Sequence, residues 1–148
     1  MVPATEAHCV HVAAHARPAD VAELQAGSGM TPAQVLEYGL RISALCYTAL
    51  VDGEPVAVVG VTPLSVLAGK GCPWMVATSR VDRHARQLLE VSRPVVDLMA
   101  EQFPLLANFV DNRNVKAHRW LRWLGFHLHP PVPHGREGRL FRLFVRAS

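Results

Sequence analysis

The segment "VDNRNVKAHRWLRWLGF", residues 110–126, combines two tryptophans with five basic side chains. Aromatic rings stack on nucleic-acid bases, and guanidinium groups bind phosphates. Trp120 and Trp123 beside Arg119 and Arg122 could therefore form a nucleic-acid-binding surface.

The spacing of the apolar residues in this segment favours a structural interpretation instead. Asn114 suits the N-cap of a helix, and Gly125 suits the left-handed position that follows its last turn. Four residues recur at i, i+3, i+4 and i+7, as on the buried stripe of an amphipathic helix: Ala117, Trp120, Leu121 and Leu124. Binding of nucleic acid by the basic side of this helix remains the alternative.

Three arginines form a second candidate group for chemistry. Arg80, Arg83 and Arg86 recur every three residues just before and within a predicted helix. Because guanidinium groups bind oxyanions, this group could hold an anion through side-chain contacts.

Clusters of histidine do not predict a metal site. His8, His11 and His15 have the spacing of metal ligands on a helix, and His127 and His129 alternate along a predicted strand. A metal site needs three or four converging ligands, and the first three histidines fall on a predicted strand, where that spacing does not converge. No Ser-His-Asp order, G-x-S-x-G motif or P-loop is present.

The elements that would position these residues are read from periodicity and turn signals. Thr31, Pro32 and Gln34 predict a capped helix start, and Asp52-Gly53 predicts a hairpin. Pro94 should kink or break the helix that contains it. The predicted strands are 9–14, 45–51, 55–65, 74–79, 105–111, 127–129 and 139–147; the predicted helices are 17–27, 31–43, 84–102 and 114–125.

The resulting order is β-α-α-β-β-β-α-β-α-β-β. It predicts an α/β (α+β) fold with a mixed central sheet flanked by helices, in a single domain spanning residues 1–148.

Composition agrees with one folded domain. Of the 148 residues, half are apolar and 18% are charged, which is typical of a globular chain. No apolar run approaches the length of a membrane span, and the first residues lack the pattern of a signal peptide. The three cysteines form no C-x-x-C pair, so reduced thiols inside a cell are expected.

Charge is distributed unevenly along the chain. Residues 1–112 contain 7 Lys/Arg and 11 Asp/Glu, whereas residues 113–148 contain 8 Lys/Arg and one acidic residue, Glu137. This basic C-terminal third could contact nucleic acid or an acidic protein surface, or simply face water.

The segment "NVKAHRWLRWLGF" resembles the N-x-x-A-x-x-x-Y-x-x-x-G-F segment of the GNAT superfamily of acetyl-CoA-dependent N-acetyltransferases. Asn114, Ala117, Gly125 and Phe126 match as they stand. The predicted element order also agrees with that fold, so the resemblance implies a GNAT-like domain.

The resemblance implies a cofactor site and also shows where this chain departs from it. "RVDRHA" (80–85) occupies the place of the pyrophosphate-binding pattern [Q/R]-x-x-G-x-[G/A], with Arg83 at the glycine position. If acetyl-CoA binds, the implied cofactor-binding residues are Val76, Ala77, Thr78, Arg80, Arg83, Ala85, Arg86 and Asn114.

The catalytic residues implied by the resemblance are incomplete. The tyrosine that often acts as general acid in the family is replaced by Leu121, which has no proton to give. Possible substitutes are Cys46, Tyr47 and His118. For the general base, the predicted central strand 55–65 has no carboxylate, which leaves Glu54 and Asp52 in the hairpin turn.

The run that covers roughly residues 45 to 126 is most similar to the GNAT-fold proteins of tailed phages, including the small internal virion protein of short-tailed phages. That resemblance implies a virion or assembly protein with a degenerate acetyl-CoA site, no bound cofactor, and other virion or assembly proteins as partners. It also implies a location in the cytoplasm of the host cell or within the virion. The alternative is an active acetyl-CoA-dependent N-acetyltransferase that modifies an amine of a small molecule or protein.

Overall fold

A computed structural model describes all residues, 1–148. One eight-stranded sheet has the order β1-β2-β3-β4-β5-β8-β6, and β7 also pairs with β8. The strands are β1 (Val2–Pro3), β2 (Leu45–Val51), β3 (Glu54–Ser65), β4 (Lys70–Ala77), β5 (Leu105–Asp111), β6 (His127–Leu128), β7 (Val132–Pro133) and β8 (Leu140–Ala147). The predicted α/β fold with a mixed, helix-flanked sheet is confirmed.

The helices cover both faces of this sheet. They are α1 (Glu6–Ala14), α2 (Pro18–Gly27), α3 (Pro32–Ile42), α4 (Ala85–Gln102) and α5 (Val115–Trp123), with a 3-10 turn at Ser79–Arg83. The capping box of Thr31 and Gln34 on α3 is confirmed, as are the cap of α5 by Asn114 and the positive φ of Gly125.

The predicted strand at 9–14 is wrong, because these residues belong to α1. Thr5 caps this helix, accepting a hydrogen bond from the backbone N–H of His8, while the His8 ring accepts one from the backbone N–H of Thr5. The alternation of Val10 and Val12 suggested a strand, but Val12 is buried and Val10 faces solvent on opposite sides of a helix. The first strand is instead Val2–Pro3, and three helices rather than two precede β2.

Two smaller differences concern prolines. Pro94 lies inside α4 without dividing it, since the helix runs unbroken from Ala85 to Gln102. The segment between β6 and β8, which contains Pro130, Pro131 and Pro133, includes the additional short strand β7.

Each face of the sheet has its own buried cluster. Val12 of α1 and Leu36 of α3 pack on Val58 and Val76 on one face. On the other face, α4 contributes Val95, Val96 and Met99 to a cluster with Leu106 and Phe126. No helix is both long enough and apolar enough to cross a membrane.

The sheet is split where the parallel strands β4 and β5 meet. Its register contains only two residue pairs, Lys70 with Leu105 and Gly71 with Leu106, whereas β4 pairs with β3 along its length. Beyond Gly71 the two strands diverge, and a cleft forms between them.

Candidate active site

The diverging strands β4 and β5 enclose a cleft of about 360 Å³ that is lined mainly by apolar side chains. Helix α2 and the segment before β8 border it on one face of the sheet, and α4 and α5 border it on the other. A cleft at a break in a sheet is a common position for a ligand site.

The edge of β4 that faces this cleft has no partner strand. The C=O of Ala77 accepts the N–H of Arg17 (2.8 Å), and the C=O of Pro73 accepts the Nδ2–H of Asn108 (2.8 Å). Because backbone groups alternate along a strand, the N–H and C=O of Met75 point to this same edge. Met75 therefore offers a backbone donor and a backbone acceptor to a molecule in the cleft.

A buried ion pair closes one end of the cleft. Arg17 and Asp20 are only 6% and 7% exposed, and their side chains lie 3.6 Å apart. Asp20 also accepts the N–H of Ala77 (2.9 Å), and the guanidinium of Arg17 lies 5.2 Å from the ring centre of Trp120. Burial raises the pKa of Asp20, against the lowering effect of Ala77 and Arg17. These contacts fix Asp20 in place.

Glu23, one helical turn after Asp20, presents the available carboxylate in the cleft. Its Oε1 accepts the N–H of Asp111 (2.8 Å) and the Nδ2–H of Asn114 (3.4 Å), while its Oε2 makes no hydrogen bond within the protein. Burial raises the pKa of Glu23 to about 7, with a further contribution from the charge of Asp20. A carboxyl group with this pKa can accept and release a proton near neutral pH.

The raised pKa of Glu23 predicts a pH-dependent stability. The folded protein binds this proton more tightly than the unfolded chain, whose glutamate titrates near 4.5. The stabilisation is therefore complete below pH 4.5 and is lost as the pH rises through about 7. Wild type should lose roughly 2–3 kcal/mol of unfolding free energy relative to Glu23→Gln between pH 4.5 and 8, measured by urea unfolding. Parallel pH profiles for the two proteins would contradict the assignment.

The implied cofactor-binding residues lie between the end of β4 and the start of α4, except Asn114, which caps α5. Val76 and Asn114 line the cleft, and the buried hydroxyl of Thr78 has no hydrogen-bond partner. Ala77 and Ala85 flank the turn on either side. Whether these residues bind a cofactor stays a prediction.

The three arginines differ in their surroundings. Arg80 is hydrogen-bonded to Glu54 (2.6 Å) and lies 3.5 Å from Asp52. Arg86 lies 3.4 Å from Glu90, and Arg83 is exposed without an ion pair. Of the three, only Arg83, in the turn just before α4, therefore has no ion-pair partner.

The structure brings none of the catalytic candidates named from the sequence into the cleft. A hydrogen bond from Arg80 lowers the pKa of Glu54, which makes Glu54 a weak base. His118 is buried with its Nε2 3.0 Å from the C=O of Asp111, and burial lowers its pKa. Cys46 and Tyr47 lie on β2. Leu121, at the tyrosine position of the resemblance, lines the cleft.

Sequence reasoning missed Glu23 and Asp20. The one available signal was the spacing Arg17, Asp20, Glu23, which places three charged residues on one side of α2. Such a stripe on a helix is usually solvated, and only the packing of α2 against the cleft buries it.

The other histidines and basic residues have structural surroundings of their own. The rings of His11 and His15 stack 4.5 Å apart on α1, and no group of three or more possible metal ligands converges. In the basic C-terminal third, four side chains contact carboxylates: Arg113 with Asp111, Lys116 with Asp82, Arg139 with Glu137, and Arg146 with Asp97.

No protein-family model matches the sequence, and no curated protein matches it either. Solved structures do match the fold. A ribosomal L7/L12 alpha-N-protein acetyltransferase, RimL, in complex with coenzyme A is similar with a TM-score of 0.74 and 10% identity, over 99% of this chain and 92% of that one. The ribosomal-protein-alanine N-acetyltransferase of Brucella melitensis gives 0.71 and 15%, over 99% and 98%.

A third similar structure is AAC(6')-Ib in complex with ribostamycin and coenzyme A, with a TM-score of 0.70 and 16% identity over 99% of this chain and 91% of that one. At these identities the likeness shows the fold alone. The chain has the GNAT fold.

Proposed function

We propose that this protein is an acetyl-CoA-dependent N-acetyltransferase in which Glu23 is the general base. The observation that carries the proposal is the position of Glu23, whose Oε2 is without a hydrogen bond and which lines the same cleft as the unpaired edge of β4. The GNAT fold of the similar acetyltransferases supports it.

The residues of the cleft fit acetyl-CoA. The free N–H and C=O of Met75 suit the amide-containing chain of acetyl-CoA. This chain would form hydrogen bonds along β4 in the way that an added strand does. Apolar side chains from α4 and α5, such as Leu88, Val96 and Ala117, face this edge across the cleft. Arg83, which is exposed and has no ion pair just before α4, is available to phosphate oxygens.

Acetyl-CoA supplies an acetyl group as a thioester, which an amine attacks only in its neutral form. Glu23 would accept the proton that the amine loses, since its pKa lies near neutrality. The N–H of Met75 would donate a hydrogen bond to the carbonyl oxygen, where negative charge develops. The C–N bond would form as the C–S bond breaks. The thiolate would take its proton from water because Leu121 offers none, and Glu23 would give the proton of the amine to the resulting hydroxide, which regenerates water and the carboxylate.

Binding of acetyl-CoA can be tested apart from catalysis. At a concentration 100 times its dissociation constant, acetyl-CoA should stabilise the protein by about 2.7 kcal/mol in thermal unfolding. Arg83→Glu should weaken the affinity about tenfold or more by placing a negative charge where phosphates bind.

Arg41→Glu is the matched control, because Arg41 lies on α3 outside the cleft and stacks on Tyr38. It carries the same change of charge and should leave the affinity unchanged. Absence of any stabilisation by acetyl-CoA in the wild-type protein would refute the proposed function.

A second candidate is the virion or assembly function that the sequence resemblance implied. It is favoured by Leu121 at the tyrosine position and by Arg83 at the glycine position, since a protein without catalysis needs neither group. On that function the protein would contact virion proteins, or an acidic surface or nucleic acid through its basic C-terminal third. The acetyltransferase function is preferred because Glu23 retains a free carboxylate in the cleft.

A further inference from the structure

The half of the cleft that borders α2 is walled by aromatic rings. Phe109 and His134 stack face to face, with ring centres 3.7 Å apart and planes 10° apart. Phe141 meets the ring of His134 at 65°, with centres 5.5 Å apart, and Trp74 also lines the cleft. We call these four residues the aromatic wall.

From this wall we propose that the acceptor is a small arylalkylamine. Its single, positively charged primary amine lies one or two carbons from an aromatic ring. This proposal rests on the acetyltransferase function above. Flat rings contact other rings with a preferred geometry, so the wall favours an aryl group over a hydrated one. The amine then reaches toward Glu23, which lines the same cleft.

The charge of the cleft sets the limit of one positive charge. Asp20 and Glu23 are the two carboxylates among the lining residues, and Asp20 is held by Arg17 and by the N–H of Ala77. The positive charge of Arg17 also remains in the lining. A polyamine or aminoglycoside would place further ammonium groups against apolar surface without a carboxylate partner, which is costly.

The loop before β8 is hydrogen-bonded to α2 and borders the end of the cleft beside the aromatic wall, which favours a small acceptor. The segment between β7 and β8 is held to the end of α2 by two backbone hydrogen bonds, from Arg136 to Gly27 (2.9 Å) and from Glu137 to Ala26 (3.2 Å). His134 belongs to this segment, so the loop holds one ring of the wall in place.

The proposal is tested with a panel of amines at saturating acetyl-CoA, following release of the thiol. 2-Phenylethylamine should show a kcat/KM at least about tenfold above those of spermidine and ribostamycin. A preference for either polycation would overturn the acceptor assignment and leave the acetyltransferase function standing. An aryl amine could be a free small molecule or the N-terminus of a peptide, and a tripeptide with N-terminal phenylalanine distinguishes the two. A higher kcat/KM for this tripeptide than for 2-phenylethylamine would overturn the small-molecule assignment.

A variant of the wall separates binding from chemistry. His134→Ala should raise the KM for 2-phenylethylamine about two- to tenfold with kcat unchanged, because one ring contact is lost. His129→Ala is the matched control, since His129 is exposed and lies outside the cleft.

If no amine is acetylated, the acetyltransferase function fails, and the wall is then tested directly. 2-Phenylethylamine should still quench the tryptophan fluorescence of the protein in a saturable way, and it should bind the wild-type protein more tightly than His134→Ala. Equal affinities for the two proteins, or no quenching, would overturn the aryl-amine site as well.

Discussion

Glu23→Gln is expected to lower kcat for acetyl transfer about 10²- to 10⁴-fold, the usual contribution of a positioned general base. Glutamine has nearly the same shape and can still accept the N–H of Asp111 through its amide oxygen. It cannot take a proton from an amine. The loss should therefore appear in kcat, while the affinity for acetyl-CoA, measured by thermal shift, stays within about twofold.

The matched control is Glu37→Gln, the same change on an exposed helical face outside the cleft. It should leave kcat unchanged. Activity of Glu23→Gln within about tenfold of wild type would remove Glu23 from the role of base.

Gly135→Ala is expected to lower the unfolding free energy by roughly 2–5 kcal/mol, as strain of the left-handed backbone and overpacking combine. Gly135 has a φ of +80°, and an added Cβ would lie 2.8 Å from the Cα of Gly27 and 2.9 Å from the C=O oxygen of Ala26. Both contacts are with backbone, which cannot move aside cheaply. The loop should lift from α2, and the KM for the acceptor amine should rise.

Gly138→Ala is the control that separates the effect of the close Cβ contact at Gly135 from the effect of backbone strain. Gly138 also has a positive φ, of +65°, but an added Cβ would have no neighbour within 4 Å. Urea unfolding should show that Gly135→Ala costs about 1–3 kcal/mol more than this control, and amide exchange at Arg136 and Glu137 should accelerate only in the former. Equal losses in the two variants would contradict the close packing of the loop on α2.

Local signals were sufficient for much of the fold. The capping box at Thr31, the Asp52-Gly53 turn and the Asn114 cap each depend on residues within four positions of one another. Such signals act before tertiary contacts form, which is why the order of elements was largely predicted. The helix α1 was missed because its capping box uses a histidine, His8, in place of the usual Glu or Gln.

The predicted site was less complete because its parts are distant in sequence. Glu23 meets the N–H of Asp111 across 88 positions of the chain, and no periodicity links the two. Glu54, chosen because the central strand lacks a carboxylate, is held outside the cleft by Arg80. The spacing of charged residues could not show which carboxylate packing would bury.

By itself the sequence determined most of the helices and strands, though not α1, β1 or β7, and the departures at Leu121 and Arg83, because each of these is a property of a short segment. The tertiary structure decided that β4 and β5 diverge after Gly71 and that α2 packs beside the opening. These two features bury much of the Glu23 side chain and raise its pKa to about 7. A glutamate on a solvated helix has an ordinary pKa, so the proposed chemistry arises from burial, which depends on the assembled fold.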